Sequence, residues 1–321
     1  MQRLAHGQYC GDNFGRMERA LRNRLTFGPI MLAGLFLLLW VDSEAQRWTR
    51  SWMEARYAEQ HFRGGIGGIG LMVILLFVNP IATDELATLF TAERVRPYRI
   101  IAAIGSALLV THAFLTQFPP FQKIAASSFA FIVVFIMLSA ALRRAWSMQT
   151  QDAIVRMAGT VLTTLYLGGL GWFIMALRVK HSQGPHDFHG TTWVILSILL
   201  MVKFTDIGAY FGGRALGKHK LIPWLSPGKT WEGLFVGLLT AGLIGAACAP
   251  WIPRVPWWKA FVFGIIIGGI GQVGDLLESL MKRDADVKDS GRLVPGFGGI
   301  LDIIDSPLFA GPFAYLLFSL F

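Results

Sequence analysis

The chain alternates long apolar runs with short polar segments from about residue 26 onward. A helix needs about 20 mostly apolar residues to cross the hydrocarbon layer of a membrane. Runs of roughly this length lie near residues 26–41, 66–83, 99–116, 123–142, 154–177, 191–211, 232–250, 258–279 and 307–321. The pattern predicts an all-α, polytopic membrane protein with about nine transmembrane helices. The ninth run is short, so its helix should begin before residue 307 or end within the outer interface.

Arginine and lysine are concentrated at alternate ends of these runs. Cytoplasmic loops of membrane proteins carry an excess of both residues. If the N-terminus is cytoplasmic, the inner segments hold most of them. Two outer loops hold one pair each, Arg178 with Lys180 and Arg254 with Lys259. The segment 42–65, which should be outside, breaks the trend with four arginines. We predict a cytoplasmic N-terminus and an outer C-terminus.

Composition narrows the classes of function. The chain has 321 residues, of which 54% are hydrophobic, and a formal net charge of +9. The basic residues flank apolar runs instead of forming a stripe interleaved with aromatic residues, so nucleic acid is not an expected partner. Cys10 and Cys248 are too far apart in sequence to form a metal-binding motif.

Polar residues gather in loops and enter the apolar runs after about residue 200. We therefore divide the chain into a cytoplasmic N-terminal segment (1–25), N-terminal transmembrane helices (26–200) and a C-terminal transmembrane catalytic region (201–321). The glycines of the eighth run should permit close packing of helices.

The end of the eighth run carries polar residues at helical spacing: Asp275, Glu278, Ser279, Lys282 and Arg283. Positions i, i+3, i+4, i+7 and i+8 share one face of a helix. A carboxylate at the depth of Asp275 is costly in lipid, which favours a functional site. An interfacial belt of ion pairs is the alternative.

A second acidic group, Asp302 and Asp305, follows the glycine-rich turn 295–299. Several carboxylates that converge from two segments suit Mg²⁺, which prefers oxygen ligands. Ser306 and Pro307 look like a helix N-cap and first helical position, which competes with a continuous helix through both acids. The glycine amides could approach phosphate oxygens, although a plain turn also explains them.

A third group lies between the sixth and seventh runs. Its cations and hydroxyls are Arg214, Lys218, Lys220, Ser226, Lys229 and Thr230. They favour an anion site for polyphosphate or lipid phosphate, whereas positive-inside bias alone could explain the cations. Asp206 and Lys203, three apart within the sixth run, mark either a site or a structural ion pair.

Two features have lesser weight. The histidines His181, His186 and His189 fall in a predicted outer loop, away from the other charges, which argues against a metal tract. Glu85, near the cytoplasmic end of the second run, either belongs to the site or marks the interface.

The C-terminal part of the chain, roughly 201–306, resembles the phosphatidate cytidylyltransferases, or CDP-diacylglycerol synthases. Their signature reads S-x-x-K-R-x4-K-D, then P-G-H-G-G-x-x-D-R-x-D, and this chain follows it from Ser279 to Asp305. The segments DIGAYFGGRALGKHK and SPGKTWEG resemble the family's second motif. Phe297 replaces the signature histidine, and Ile303 replaces the arginine.

The resemblance implies transfer of the cytidylyl group of CTP to phosphatidate, in phospholipid biosynthesis at the inner cell membrane. It implies Mg²⁺ as cofactor, with one or two ions, and a site that faces the cytoplasm. Asp275 and Asp302 would be metal ligands, and catalysis would also involve Asp305, Asp289 and Lys288. The implied substrate-binding residues are Asp206, Arg214, Lys218, Ser226, Lys229, Thr230, Lys282, Arg283, Gly298 and Gly299. A homodimer is compatible with this reading.

Three alternatives differ in class. A transporter would spread charges across the membrane depth and repeat between its halves, and the sequence shows neither pattern. A related CTP-dependent lipid enzyme, such as an ether-lipid CDP synthase or a polyprenol kinase, would need similar residues. A non-catalytic homologue would explain Phe297 and Ile303. Against this last alternative, we expect Lys203 to reach the acids and offset the missing arginine.

The predicted orientation can be tested by labelling introduced cysteines in a background without Cys10 and Cys248. A cysteine within 215–228 should react with an impermeant maleimide only from the cytoplasmic face, and one near Gln183 only from outside. Intact cells and inverted vesicles distinguish the two faces. The reverse pattern would contradict the cytoplasmic N-terminus and would separate the acids from cytosolic nucleotide.

Overall fold

The computed structural model describes residues 2–60, 64–180, 190–252, 255–294, 296 and 298–319. The α-helices in these residues are α1 (Gln2–Arg56), α2 (Ile69–Ala92), α3 (Arg99–Leu115), α4 (Pro119–Gln122), α5 (Ala125–Trp146), α6 (Ala153–Thr164), α7 (Leu170–Lys180), α8 (Gly190–Leu216), α9 (Trp231–Ala247), α10 (Trp257–Asp284) and α11 (Leu301–Ser319). Two short strands, β1 (Lys220–Ile222) and β2 (Ser226–Thr230), form an antiparallel hairpin between α8 and α9.

Within the described residues, seven helical spans are long and apolar enough to cross a membrane, and α3 and α9 are shorter apolar helices. A π-helical turn, Leu165–Gly169, joins α6 to α7, so that Ala153–Val179 is a single span. The prediction of an all-α, polytopic membrane protein is confirmed, with the β1–β2 hairpin as an addition. The count of nine crossings and the orientation stay predictions.

Helices α8, α10 and α11 share one apolar core, and α9 packs against α10. Met201 of α8, Ile267 of α10 and Ala310 of α11 belong to one buried apolar cluster. Helices α9 and α10 approach so closely that a Cβ on Gly264 would collide with the carbonyl of Ala241. Small residues allow such contacts between backbones in membranes, and the expectation for the glycines of the eighth run is confirmed.

Helix α11 begins at Leu301. The N-cap predicted at Ser306 and Pro307 is therefore wrong, whereas the earlier beginning of this span is confirmed. Pro307 has no N–H and leaves the Ile303 carbonyl, one turn earlier, without its helical donor. The ammonium of Lys203 in α8 donates to this carbonyl at 3.1 Å, which compensates for the proline within the helix.

A buried ion pair joins α1 to α7 at the end of the bundle where α2 begins. Arg178 Nε donates to Asp42 Oδ2 at 2.8 Å, and both side chains are fully buried. Arg178 Nη2 donates to Gln46 Oε1 at 2.9 Å, and backbone N–H groups at the start of α2 donate to the Asp42 carboxylate. Arg178, which the sequence placed in an outer loop, is thus a helical residue of α7. Its partner Asp42 belongs to the arginine-rich segment 42–65.

Removal of this arginine should destabilise the fold, because the Asp42 charge would stay buried without its partner. We expect Arg178→Met to lower the free energy of unfolding by about 3–5 kcal/mol, measured by unfolding in mixed detergent micelles. Arg47→Met is the matched control, since the side chain of Arg47 is about half exposed where it pairs with Glu44, and the substitution should cost less than about 1 kcal/mol. Equal losses in the two variants would contradict a special role for the buried pair.

Candidate active site

A cluster of three carboxylates lies between α10 and α11. Asp275 and Glu278 come from one face of α10, and Asp305 comes from α11; one oxygen of each lies within 4.8 Å of the others. Glu278 and Asp305 are only 1% and 2% exposed. Glu278 Oε1 and Asp305 Oδ2 are buried and accept no hydrogen bond from the described residues. Converging oxygens that lack donors fit a hard cation, so this carboxylate cluster could hold a metal ion.

Asp302 lies beside the carboxylate cluster, where it accepts hydrogen bonds. Lys282 Nζ donates to Glu278 Oε2 and to Asp302 Oδ1, both at 2.8 Å. The other oxygen of Asp302 accepts from the N–H groups of Ser290 at 3.1 Å and Gly299 at 2.7 Å. Lys282, predicted to bind phosphate, thus links α10 to α11. Asp302, predicted to bind metal, ties the loop between α10 and α11 (285–300) to the start of α11.

A cavity of about 620 Å³ lies beside the carboxylate cluster. Its walls come from α8, the β1–β2 hairpin, α9 and α10. Among its lining residues are Asp206, Tyr210, Arg214, Ser226, Lys229, Thr230, Gln272 and Asp275. The cavity therefore brings two cations and two hydroxyls of the predicted basic group together with Asp275 of the carboxylate cluster.

Lys229 connects this cavity to the carboxylate cluster. Its ammonium forms an ion pair with Asp275 and donates to Gln272 Oε1 at 3.1 Å. The amide of Gln272 donates in turn to Asp206. Thr230 caps α9 by accepting the N–H of Gly233 at 3.1 Å, which fixes the end of the hairpin. The structure thus places Asp206 in the same polar network as Asp275.

Several predicted site residues lie elsewhere. The side chains of Lys218, Arg283, Lys288 and Asp289 are exposed and do not line the cavity. Gly298 has a φ of 99°, and a Cβ there would press against the Asp302 carboxylate, so glycine suits this close approach. Phe297 and the histidines His181, His186 and His189 lie outside the described residues.

Lys203 reaches the residue that replaces the signature arginine. Its ammonium contacts the backbone oxygen of Ile303 and is near enough to Asp206 and Asp305 to interact with both electrostatically. This placement agrees with the expectation that Lys203 supplies positive charge beside the acids. Its effect on activity stays a prediction.

Sequence reasoning did not single out Tyr166. This residue lies in the π-helical turn, a form of helix that is frequent at functional sites. Its hydroxyl is buried without a hydrogen-bond partner among the described residues and interacts electrostatically with Asp305 and Glu278. A tyrosine within an apolar run carries no sequence signal of such a position. Gln272 was also not singled out, although a polar side chain within the eighth apolar run is a signal that could have found it.

The fold and this site define a class of protein. Apolar helices carry a buried carboxylate cluster at one end, next to a cavity lined by cations and hydroxyls. It is a multi-pass membrane protein whose site suits a cation together with an anionic group.

The chain belongs to the cytidylyltransferase family, because the family's model matches residues 64–321. It is 38% identical over 169 residues to the phosphatidate cytidylyltransferase of Brucella suis, covering 50% of this chain and 62% of that protein. Identity is 41% over 145 residues with the protein of that name from Haemophilus influenzae, with coverage of 44% and 50%. It is 39% over 162 residues with that from Bacillus subtilis, with coverage of 50% and 57%. The chain thus spans between half and two thirds of these relatives' lengths, and the predicted family is confirmed.

The carboxylate cluster can be tested by metal binding alone. Asp305→Asn should weaken the binding of Mn²⁺, followed by electron paramagnetic resonance, by at least about tenfold, since even changes beside metal ligands cost that much. Asp284→Asn, at the exposed end of α10, is the control and should leave the affinity unchanged. Unchanged affinity in Asp305→Asn would show that the cluster does not bind the ion. Complete loss of Mn²⁺ binding in Asp302→Asn would indicate that Asp302 is a metal ligand, as the sequence predicted.

Proposed function

We propose that this protein transfers the cytidylyl group of CTP to phosphatidate, which yields CDP-diacylglycerol and pyrophosphate. The observation that carries the proposal is the ion pair of Lys229 with Asp275, because it joins a cavity lined by cations and hydroxyls to a candidate metal site. Membership of the cytidylyltransferase family and the similarity to phosphatidate cytidylyltransferases support the same reaction.

In this reaction a phosphate oxygen of phosphatidate forms a bond to the α-phosphorus of CTP. The bond from that phosphorus to the oxygen that bridges the α- and β-phosphates breaks, and pyrophosphate leaves. The nucleophile is already anionic near neutral pH, since the second pKa of a phosphate monoester is about 6, so no strong base is required. The protein has to reduce repulsion between two polyanions and stabilise the leaving group.

Asp275, Glu278 and Asp305 are the residues that would hold a divalent cation. Mg²⁺ is the expected ion, because it prefers oxygen ligands and completes its shell with water and phosphate oxygens. When bound, it would supply positive charge that neutralises the reacting phosphates. Lys282 keeps Glu278 in place from the other side.

Lys229, Arg214, Ser226 and Thr230 are the residues we assign to phosphate binding in the cavity. An ammonium has three donors, and Lys229 uses two for Asp275 and Gln272. No described contact uses the third donor of Lys229, so this donor is available for a phosphate oxygen. Arg214 is exposed and offers a planar, always charged group that suits phosphate.

The lipid would reach the cavity from the membrane. Tyr210 lines the cavity. The side chains of Tyr210, Phe211 and Phe235 are more than half exposed and could contact acyl chains while the phosphate enters the cavity. Such a site belongs at the cytoplasmic interface of the inner cell membrane, where CTP is present. We assign catalysis to the region 201–321 and a supporting role to the helices before it.

The test is an assay of the purified full chain with α-labelled CTP, phosphatidate and Mg²⁺. We expect the label in a lipid product, with equimolar release of pyrophosphate and loss of both in Asp275→Asn but not in Asp284→Asn. Polyprenol as the accepted substrate, with release of CDP, would contradict the proposal and favour a kinase. Absence of any CTP turnover by a folded protein would favour a non-catalytic homologue.

A further inference from the structure

Glu85 of α2 binds a segment more than 200 positions later in the chain. Its Oε1 accepts the N–H of Ile300 at 3.1 Å. Its Oε2 accepts the N–H of Leu301 at 2.8 Å and the hydroxyl of Ser290 at 3.2 Å. The residue is only 9% exposed. One buried carboxylate thus receives three hydrogen bonds from the loop before α11 and from the first residue of that helix.

The loop is shaped around this carboxylate. A Cβ on Gly291 or on Gly299 would collide with the Glu85 oxygens. The loop is also closed on itself, since Val294 and Gly298 exchange N–H to carbonyl hydrogen bonds at 3.0 and 3.1 Å. The glycines therefore serve the approach of the loop to Glu85 as well as its turn.

The first N–H groups of a helix have no partners within it, and the end they form is partly positive. Asp302, within the first turn of α11, accepts two N–H groups, those of Ser290 and Gly299. Glu85 accepts the two that follow, those of Ile300 and Leu301. Consecutive N–H groups before and at the start of α11 are thus bound by two carboxylates. Asp302 belongs to α11 itself, whereas Glu85 belongs to α2.

We propose that Glu85 is a positioning residue of the site. It fixes where α11 begins, and so it holds Asp305 in the carboxylate cluster and Asp302 against Lys282. Glu85 lies in α2, outside the segment that follows the family signature. Its effect on turnover rests on the proposed function, whereas its effect on metal binding and on the loop does not.

The test compares Glu85→Gln with Asp84→Asn in the full-length protein. The control changes the neighbouring acid in the same helix, which is exposed and paired with Arg99. Glutamine keeps the size of the side chain but loses the charge and one acceptor oxygen. Three readouts are needed: Mn²⁺ affinity, deuterium exchange of the Ile300 and Leu301 amides, and kinetics with CTP and phosphatidate.

We expect Glu85→Gln to weaken Mn²⁺ binding and to lower kcat, each by about 10- to 100-fold, with faster exchange of both amides. The KM for CTP should change less, because Glu85 does not line the cavity. Asp84→Asn should resemble the unmodified protein in every readout. If CTP is not turned over by any variant, the proposed function fails, while metal affinity and exchange still test Glu85.

Because the comparison requires that Glu85→Gln folds, Ser290→Ala serves as a milder variant that removes one of the three hydrogen bonds. It should shift the metal affinity in the same direction by a smaller factor. Unchanged Mn²⁺ affinity and unchanged exchange in these variants would overturn the proposal. So would a loss of thermal stability with a normal kcat in the protein that remains folded, because Glu85 would then stabilise the fold without positioning the site.

Discussion

The structure depends on how buried charge is paired at the end of an apolar bundle. A carboxylate removed from water is stable only where cations or N–H groups surround it. Lys282 meets this requirement for two acids at once, Glu278 of its own helix and Asp302 of the next. Because the ammonium must contact both, the register of α10 against α11 is restricted. That register brings Asp305 opposite Asp275.

The same need for donors around a buried carboxylate distinguishes the acids that could bind a cation from the acid that is already paired. Asp302 is surrounded by donors, namely Lys282 and two backbone N–H groups. Glu278 and Asp305 each keep one buried oxygen that accepts no hydrogen bond from the described residues. An acid with satisfied oxygens orders the loop, whereas an acid with an unsatisfied oxygen can receive a cation. Asp302 and Asp305 therefore differ in their surroundings, although they lie three positions apart in one short segment of the chain.

Much of the fold could be predicted because membrane helices are encoded by length and apolarity, which are local properties. The short apolar run 307–321 indicated an earlier beginning for α11, but the residue at which the helix begins could not be predicted, because Ser306 and Pro307 carry a strong local signal for a later one. Tertiary contacts overrode it: Lys203 satisfies the carbonyl freed by Pro307, and Glu85 satisfies the N–H of Leu301. Helical spacing did predict that Asp275 and Glu278 share one face of a helix. It could not show which acid of α11 they meet, since that depends on packing between helices.

The contact of Lys203 with Ile303 has a consequence for the order of membrane insertion. The chain is synthesised from its N-terminus at about 5–20 residues per second, so a partner 100 positions later emerges roughly 5–20 s after Lys203. A lone lysine at the centre of a membrane helix costs about 2.5–3.5 kcal/mol during insertion. Asp206, one turn away in α8, is the acid that can accompany it. Helix α8 therefore contains a lysine and an acid one turn apart before α11 has been made, whereas in the folded protein the ammonium of Lys203 donates to a carbonyl of α11.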